Sequence, residues 1–184
     1  LDNPLGDTNG DGTPDLMIGR LPAQTPADLT LMIHRIVAHE SYDGWKNKML
    51  MVSDKESSNA FGLTCNRLAS RVSPEMSIQQ VNHTASTSVD TTRAGILKGL
   101  NSGVLMAVYI GHANNVGLSM PYILEHSYQQ SNMSALTNAI RTPLVLAGAC
   151  MMNDFAGPHP DNRCLGKGLL DTAPGGAVAV WALA

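Results

Sequence analysis

The sequence lacks long apolar runs and clusters of basic residues, and it has few aromatic side chains. Its 184 residues are 43% hydrophobic, 15% charged and 4% aromatic, and 12 Lys and Arg against 15 Asp and Glu give a net charge of −3. No apolar stretch approaches the roughly 20 residues that cross a bilayer, so we expect no membrane span. Nucleic-acid recognition usually requires a clustered basic face, so the composition argues against a nucleic-acid partner.

Cysteine is also scarce, and several sequence motifs are absent. The three cysteines are Cys65, Cys150 and Cys164, an odd number that leaves at least one thiol unpaired. There is no CxxC pair, which excludes a cysteine-based structural zinc site. The motifs GxSxG, GxxxxGK and GxGxxG are missing, which argues against a serine hydrolase or a nucleotide-binding domain. Because the number of cysteines is odd, the role of at least one free thiol needs an explanation.

Short apolar runs alternate with helical patterns along the chain. We expect strands at 16–18, 49–52, 78–81, 104–110, 144–147 and 177–183, and helices at 25–40, 61–72, 92–100, 134–140 and 165–170. The first helix should have Thr25 as its N-cap and Pro26 at its first position, and the last strand reads as a central one. This alternation predicts an α/β domain with a mainly parallel sheet covered on both faces. We expect residues 1–184 to form a single domain that is a fragment of a longer protein.

A histidine and a cysteine stand directly after two of the expected strands. The run 104–110 is followed by Gly111, His112 and Ala113, and the run 144–147 by Gly148, Ala149 and Cys150. Ligands and catalytic groups gather at the carboxyl ends of parallel strands, so His112 and Cys150 are expected to face each other at one edge of the sheet. An imidazole can serve as the base and then the acid for a nucleophilic thiol. The alternative is that both are core residues without a catalytic role.

The first fifteen residues contain oxygen-bearing side chains at calcium-ligand spacing. Counting Asp7 as position 1, these side chains fall at positions 1, 3, 5 and 9, with a glycine at position 6. Position 12 is Ile18, so the loop is not an EF-hand. We predict a structural calcium ion held by five residues: Asp7, Asn9, Asp11, the backbone carbonyl of Thr13, and Asp15. The alternative is that Asp and Gly make tight turns here without a cation.

Three stretches resemble the gingipain-like cysteine peptidases, which share the caspase-type fold. They are NPLGDTNGDGTPDLMIGRLPAQT, which is similar to an opening loop and GRLP turn of bacterial members, VLMAVYIGHA, and PLVLAGACMMNDF followed by GGAVAVWALA. The resemblance implies a three-layer α/β/α domain, a peptide or protein substrate, and a secreted or cell-surface location in bacteria. It also implies further domains in the same polypeptide.

The resemblance also implies roles for individual residues. His112 would be the general base and acid, Cys150 the nucleophile, and the backbone N–H groups of Ala113 and Cys150 the oxyanion donors. An acidic residue of the family stands behind the histidine, and both Asp54 and Glu56 match that place in the sequence.

Two positions depart from the family pattern. The family has glycine after the histidine, where this chain has Ala113, so a positive φ there would cost about 1 kcal/mol. Asn59 stands nearest the aspartate that selects a basic substrate residue in some members, so a basic preference is not implied. The leading hypothesis is a cysteine endopeptidase, and the alternative is a catalytically silent member that serves as a calcium-stabilised binding or surface module.

Overall fold

The computed structural model describes residues 3–41, 44–127, 130–155 and 164–183. Its centre is a five-stranded parallel sheet with the strand order β2-β1-β3-β6-β7. The strands are β1 (Lys48–Ser53), β2 (Ser77–Asn82), β3 (Met106–Ile110), β6 (Leu144–Gly148) and β7 (Ala179–Trp181). Two short antiparallel strands, β4 (Gly117–Leu118) and β5 (Leu124–Glu125), form a separate hairpin between β3 and β6.

Helices cover both faces of the sheet. The helices in the described part of the chain are α1 (Asn3–Gly6), α2 (Pro26–Ser41), α3 (Ala60–Ala69), α4 (Val89–Asn101) and α5 (Leu165–Asp171), together with a 3₁₀ turn at Met133–Ala135. On one face, side chains of α4 and α5 pack with Leu50, Val52 and Val145 of the sheet. On the other face, the end of α3 packs against Met49, Met51 and Val108. The expected three-layer α/β/α fold with a parallel sheet is therefore confirmed.

The start of α2 agrees with the sequence prediction. The hydroxyl oxygen of Thr25 accepts a hydrogen bond from the N–H of Asp28 at 3.2 Å, and the Asp28 carboxylate accepts one from the N–H of Thr25 at 3.0 Å. This reciprocal pair satisfies backbone donors that the first helical turn leaves without partners. Pro26 then occupies the first helical position, where the missing N–H costs nothing.

Two of the expected elements are absent from the described part of the chain. Residues 16–18 pair with no strand there, and Met17 is fully exposed. Residues 134–140 form no α-helix, because the side chain of Asn138 hydrogen-bonds the backbone N–H and carbonyl of Gly176 at 2.8 Å each. Ala139 then adopts a φ of 51°, which a right-handed helix does not allow. Both predictions were wrong.

The last strand differs from expectation in its place in the sheet, and α2 exposes several apolar side chains. The final strand, predicted to be central, lies last in the sheet order as β7, and its Trp181 is 75% exposed. In α2 the apolar residues Leu29, Ile33 and Val37 are exposed, while Met32 and Arg35 are buried. The helix predicted at 25–40 is therefore confirmed, although these apolar side chains lie on its exposed face.

A buried arginine joins α2 to α5. The Arg35 guanidinium donates to the carbonyl oxygens of Leu169 at 3.2 Å, Leu170 at 2.7 Å and Gly175 at 2.5 Å, and also to that of Thr172. These carbonyls lie at the C-terminal end of α5 and just beyond it, where carbonyl groups have no partner within the helix. Arg35, on α2, thus caps the C-terminal end of α5.

Candidate active site

The carboxyl ends of β3 and β6 lie side by side at one edge of the sheet. The strand register pairs Ile110, the last residue of β3, with Gly148, the last residue of β6. His112 and Cys150 each follow these paired residues by two positions. Because neighbouring strands lie about 4.8 Å apart, the two residues leave the sheet next to each other. The structure therefore brings the histidine and the cysteine together at one edge.

The three thiols differ in their access to solvent. Cys150 is exposed, whereas Cys65 and Cys164 are buried. Burial raises the pKa of Cys65, and it also raises the pKa of Cys164 although the nearby Lys167 opposes the shift. Cys164 is the N-cap of α5, and its sulfur accepts a hydrogen bond from the N–H of Lys167 at 3.4 Å. A raised pKa reduces the thiolate fraction, so Cys150 is the thiol best placed to react.

The imidazole of His112 is exposed and has one aromatic neighbour. The ring of Phe61, near the start of α3, meets it edge-on, with 5.2 Å between the ring centroids and 85° between the planes. Within the described residues the His112 ring forms no hydrogen bond, so it is accessible to a substrate.

The main chain of His112 is held more firmly than its ring. Its N–H donates to a carboxylate oxygen of Asp54 at 3.2 Å. Its carbonyl oxygen accepts from the N–H of Ser119 at 2.8 Å and from the hydroxyl of Tyr109 at 2.5 Å. Both polar groups of this peptide segment are therefore anchored.

Of the two predicted acidic residues, the structure places Asp54 against His112. Asp54 is 4% exposed, and its second carboxylate oxygen accepts from the N–H of Lys55 at 2.7 Å. Glu56 is exposed, and its carboxylate accepts from the hydroxyl of Ser58 at 2.8 Å. Within the described residues Glu56 makes no hydrogen bond to His112. The Asp54 bond goes to the backbone of His112, whereas the prediction concerned its imidazole.

The two predicted oxyanion donors have free N–H groups in the described part of the chain. Ala113 forms an isolated antiparallel bridge with Leu118, flanked by backbone hydrogen bonds of the residues on either side. In such a pair the N–H of the central residue points away from the partner strand. Neither Ala113 nor Cys150 donates its N–H to a described acceptor.

The residue after the histidine is unstrained. Positive φ values at described non-glycine positions occur at Asn59, Ser119, Ala139 and Met151, and Ala113 is not among them. The strain expected from a Cβ at position 113 therefore does not arise. Met151, directly after the cysteine, does adopt φ 54°, which costs about 1 kcal/mol for a residue with a side chain.

A buried asparagine supports the loop that follows Cys150. The N–H of Asn153 donates to the carbonyl of Leu183 at 3.1 Å, and its side-chain amide donates to the carbonyl of Val180 at 3.2 Å. The N–H of Gly166 in α5 binds the carbonyl of Met152 at 3.0 Å. These bonds fix the loop between β7 and α5.

Asn59 stands at the start of the helix that carries Phe61. It is exposed, adopts φ 55° and precedes α3, without a side-chain capping bond. Its backbone N–H binds the carbonyl of Glu56 at 3.1 Å. The predicted substrate-binding residue is therefore on the loop and helix that border His112.

The predicted calcium loop is largely exposed, and its carboxylates form hydrogen bonds with other residues of the same loop. The Asp7 carboxylate accepts from the N–H groups of Gly10, Asp11 and Gly12 at 2.7 to 3.2 Å. These bonds, the one from Gly12 first, lower the pKa of Asp7. Asp15 accepts from the hydroxyl and the N–H of Thr8, which lowers its pKa in the same way.

No ready-made metal site was found in this loop or elsewhere in the residues that the structure describes. Groups of three or more His, Cys, Asp and Glu side chains arranged to hold a metal ion are absent there. The calcium site therefore stays a prediction, because its carboxylates would have to turn toward a common point.

In the described residues, no helix is both long and apolar enough to cross a membrane.

Sequence reasoning missed several residues at this edge of the sheet. Tyr109 and Ser119 bind the His112 carbonyl, Phe61 contacts its ring, and Asn153 supports the cysteine loop. Tyr109 is the one aromatic residue in the apolar run 104–110, a signal that could have singled it out. The other three carry no such signal. Phe61 and the partners of Asn153 come from distant parts of the chain, and Ser119 reaches His112 only because the chain turns back between them.

The fold and this edge of the sheet define a class of protein, a cysteine peptidase-like domain. The sequence matches the family model of peptidase family C25 over residues 1–184. The chain belongs to that family, which confirms the resemblance to the gingipains.

Comparison with solved structures gives the same fold. The chain is similar to the complex of Porphyromonas gingivalis RgpB pro- and mature domains, with a TM-score of 0.70 and 19% sequence identity. The similarity covers 98% of this chain and 44% of that chain, so the chain spans less than half of that relative's length. Comparison with curated proteins gives no match.

Proposed function

We propose that this domain is a cysteine endopeptidase in which Cys150 is the nucleophile and His112 moves the proton. The observation that carries the proposal is their placement: two exposed side chains at equivalent positions beyond the register-paired ends of neighbouring parallel strands. Membership of peptidase family C25 supports peptide and protein substrates.

The reaction follows from the chemistry of the two side chains. His112 takes the thiol proton, and the Cys150 sulfur attacks the substrate carbonyl carbon. The peptide C–N bond then breaks, the leaving amine takes the proton from His112, and an acyl thioester remains. A water molecule, activated by the same imidazole, hydrolyses the thioester and restores the thiol.

The free N–H groups of Ala113 and Cys150 suit the negative charge that develops on the substrate oxygen. Each well-placed donor of this kind contributes about 3 kcal/mol to transition-state stabilisation. The exposed Gly148, two residues before Cys150, supports the proposal because its lack of a side chain leaves room for a substrate main chain.

Asn59 is the proposed substrate-binding residue. Its position near Phe61, which contacts His112, supports this role. Its side chain is a neutral amide, so it would favour a polar or uncharged substrate residue over a basic one. We also propose an extracellular or surface location and additional domains in the same polypeptide, as the family membership suggests.

The test measures hydrolysis of fluorescein-labelled casein by the full chain and by the Cys150→Ala and His112→Ala variants. We expect each variant to lose at least about a hundred-fold in rate, because proton transfer and the nucleophile are both required. His34→Ala is the matched control, since His34 is exposed on α2, and it should retain full activity. Hydrolysis by the Cys150→Ala variant at the unchanged rate would refute the proposal and favour the silent-module alternative.

We also propose that the loop of Asp7, Asn9, Asp11, Thr13 and Asp15 binds a structural calcium ion. The support is chemical: hard carboxylate and carbonyl oxygens are the ligands that calcium prefers, and the loop concentrates them. The ion would hold the loop together and would take no part in the reaction.

A further inference from the structure

His112 would need a fixed position to serve Cys150, yet its ring has little to hold it. The ring is exposed, meets Phe61 edge-on, and forms no hydrogen bond in the described residues. An exposed ring without a hydrogen bond depends on its own backbone for its position. The groups that hold the His112 backbone therefore decide where the imidazole lies.

Two buried side chains from different strands hold that backbone. Tyr109, near the end of β3, is 3% exposed and donates its hydroxyl to the His112 carbonyl at 2.5 Å. Asp54, just after β1, is 4% exposed and accepts the His112 N–H at 3.2 Å. The N–H of Asp54 in turn binds the carbonyl of Ile110 at 2.9 Å, which ties the end of β1 to the end of β3.

Gly111 allows these two side chains to meet. A Cβ at this position would lie 2.2 Å from the Cβ of Asp54 and 2.6 Å from the hydroxyl oxygen of Tyr109. Both side chains therefore occupy the space that any other residue would need. The glycine before the histidine is required by this close approach, and its φ is not in the left-handed region.

The protonation states suit this arrangement. Burial first, and then the charge of Asp54 and a hydrogen bond to it, raise the pKa of Tyr109. A raised pKa favours the protonated hydroxyl, which is the form that donates to the His112 carbonyl.

We propose that Tyr109 and Asp54 are positioning residues, which act together on the main chain of His112 and so set its imidazole against Cys150. This inference rests on the proposed function, because it assigns the two residues a role in the Cys150–His112 pair. Neither residue touches the substrate. Their effect on the reaction passes through His112.

The test is a double-mutant cycle in the full chain. It compares Tyr109→Phe and Asp54→Asn, each alone and combined with His112→Ala, by two measurements at neutral pH. One is the rate at which iodoacetamide alkylates Cys150, followed by peptide mass spectrometry, and the other is hydrolysis of fluorescein-labelled casein. Tyr122→Phe is the matched control, because its hydroxyl pairs with the side chain of Asn114 and not with His112.

With His112 present, we expect Tyr109→Phe and Asp54→Asn each to lower both rates roughly ten-fold, as a small displacement of a catalytic group does. In the His112→Ala background the same substitutions should change the alkylation rate less than about two-fold, because their target is gone. Tyr122→Phe should leave both rates unchanged. A structural role would instead lower both rates equally in the two backgrounds.

The outcomes separate the inference from the proposed function. If His112→Ala leaves the alkylation of Cys150 unchanged, the histidine–cysteine pair itself is wrong, and the inference falls with it. If His112→Ala slows alkylation but Tyr109→Phe and Asp54→Asn do not, the function stands and the inference is overturned. Asp54→Asn keeps one acceptor oxygen where the carboxylate uses two, for the N–H groups of His112 and Lys55. This variant therefore weakens the anchoring with little change in shape, and it keeps the test decisive should Tyr109→Phe misfold.

Discussion

Arg35 carries a charge into the interior of the protein, where it is 2% exposed. Burial lowers its pKa, and the nearby Asp171 opposes that shift. Arginine nevertheless stays protonated in proteins, so its donors remain available to the carbonyl groups at the end of α5. At the scale of single residues, a polar group can thus replace an apolar contact between two helices, provided that its hydrogen bonds are all made.

Replacing Arg35 by methionine should destabilise the protein by about 3 kcal/mol, because buried carbonyl groups would lose their partners. Arg35→Lys should cost less, since it keeps the charge but offers fewer donors. Urea unfolding followed by circular dichroism gives the free energy of unfolding. Arg67→Met, on the exposed surface of α3, is the control and should change the free energy of unfolding by less than about 0.5 kcal/mol. An equal loss of stability in the Arg35→Met and Arg67→Met variants would contradict this account of Arg35.

At the scale of elements, the segment that follows β3 shows how one glycine shapes a site. Gly111 lies between the strand and His112 and leaves no room for a Cβ. After it, the chain turns back through the Ala113–Leu118 bridge to Ser119, whose N–H returns to the His112 carbonyl. The strand end and this turn therefore behave as one unit.

Gly111→Ala should push Asp54 and Tyr109 apart and cost about 1–3 kcal/mol, the range found for overpacked interiors. The rate of casein hydrolysis should also fall, even under conditions where the variant is fully folded, because the displaced groups hold His112. Gly19→Ala is the matched control: position 19 has no atom within 4 Å of an added Cβ and should tolerate it. Thermal unfolding and casein hydrolysis are measured on both variants. Equal behaviour of Gly111→Ala and Gly19→Ala in the two measurements would contradict the prediction.

The strands were easier to predict than the contacts between elements. Apolar runs such as 49–52 and 144–147 form β1 and β6 because a buried parallel strand has an apolar signature of its own. Residues 16–18 have the same signature but no partner strand in the described chain. Residues 134–140 fail as a helix because Asn138 binds Gly176, a contact that no local pattern contains.

The candidate site divides in the same way. His112 and Cys150 were found from the strands that precede them, because position after a strand is a local property. Asp54 was not distinguishable as a partner of the His112 backbone, since that contact depends on the pairing of β1 with β3. Tyr109 lies only three residues from His112, but no sequence pattern shows that its hydroxyl turns back to the His112 carbonyl. Which of Asp54 and Glu56 lies against the His112 main chain likewise could not be read from the sequence.

At the scale of the whole molecule, the N-terminal loop is closed on itself at its base. The N–H groups of Asp15 and Leu16 donate to the carbonyl of Gly6 at 2.9 and 3.1 Å. The lowered pKa values of Asp7 and Asp15 mean that both carboxylates favour the folded state when ionised. This contribution is present above the ordinary aspartate pKa of 3.8 and is lost as the pH falls through the lower folded values.

Calcium should raise the melting temperature of EDTA-treated protein by roughly 5 °C when the ion is in hundred-fold excess over its dissociation constant. The rise should persist in mild acid and vanish once the pH falls below the aspartate range, because the ligands must be ionised. Asp11→Asn should remove most of the effect, while the exposed Glu75→Gln should retain it. A shift of equal size in wild type and Asp11→Asn, measured by differential scanning fluorimetry, would exclude this loop as the site.

The parallel sheet also determines when the proposed histidine–cysteine pair can form in a nascent chain. β3 is synthesised well before β6, and parallel neighbours pair only after the connection between them has been made. Until β6 lies beside β3, the thiol and the imidazole are on separate lengths of unfolded chain. The histidine therefore leaves the ribosome before the cysteine, and the proposed pair cannot form until β6 has joined the sheet.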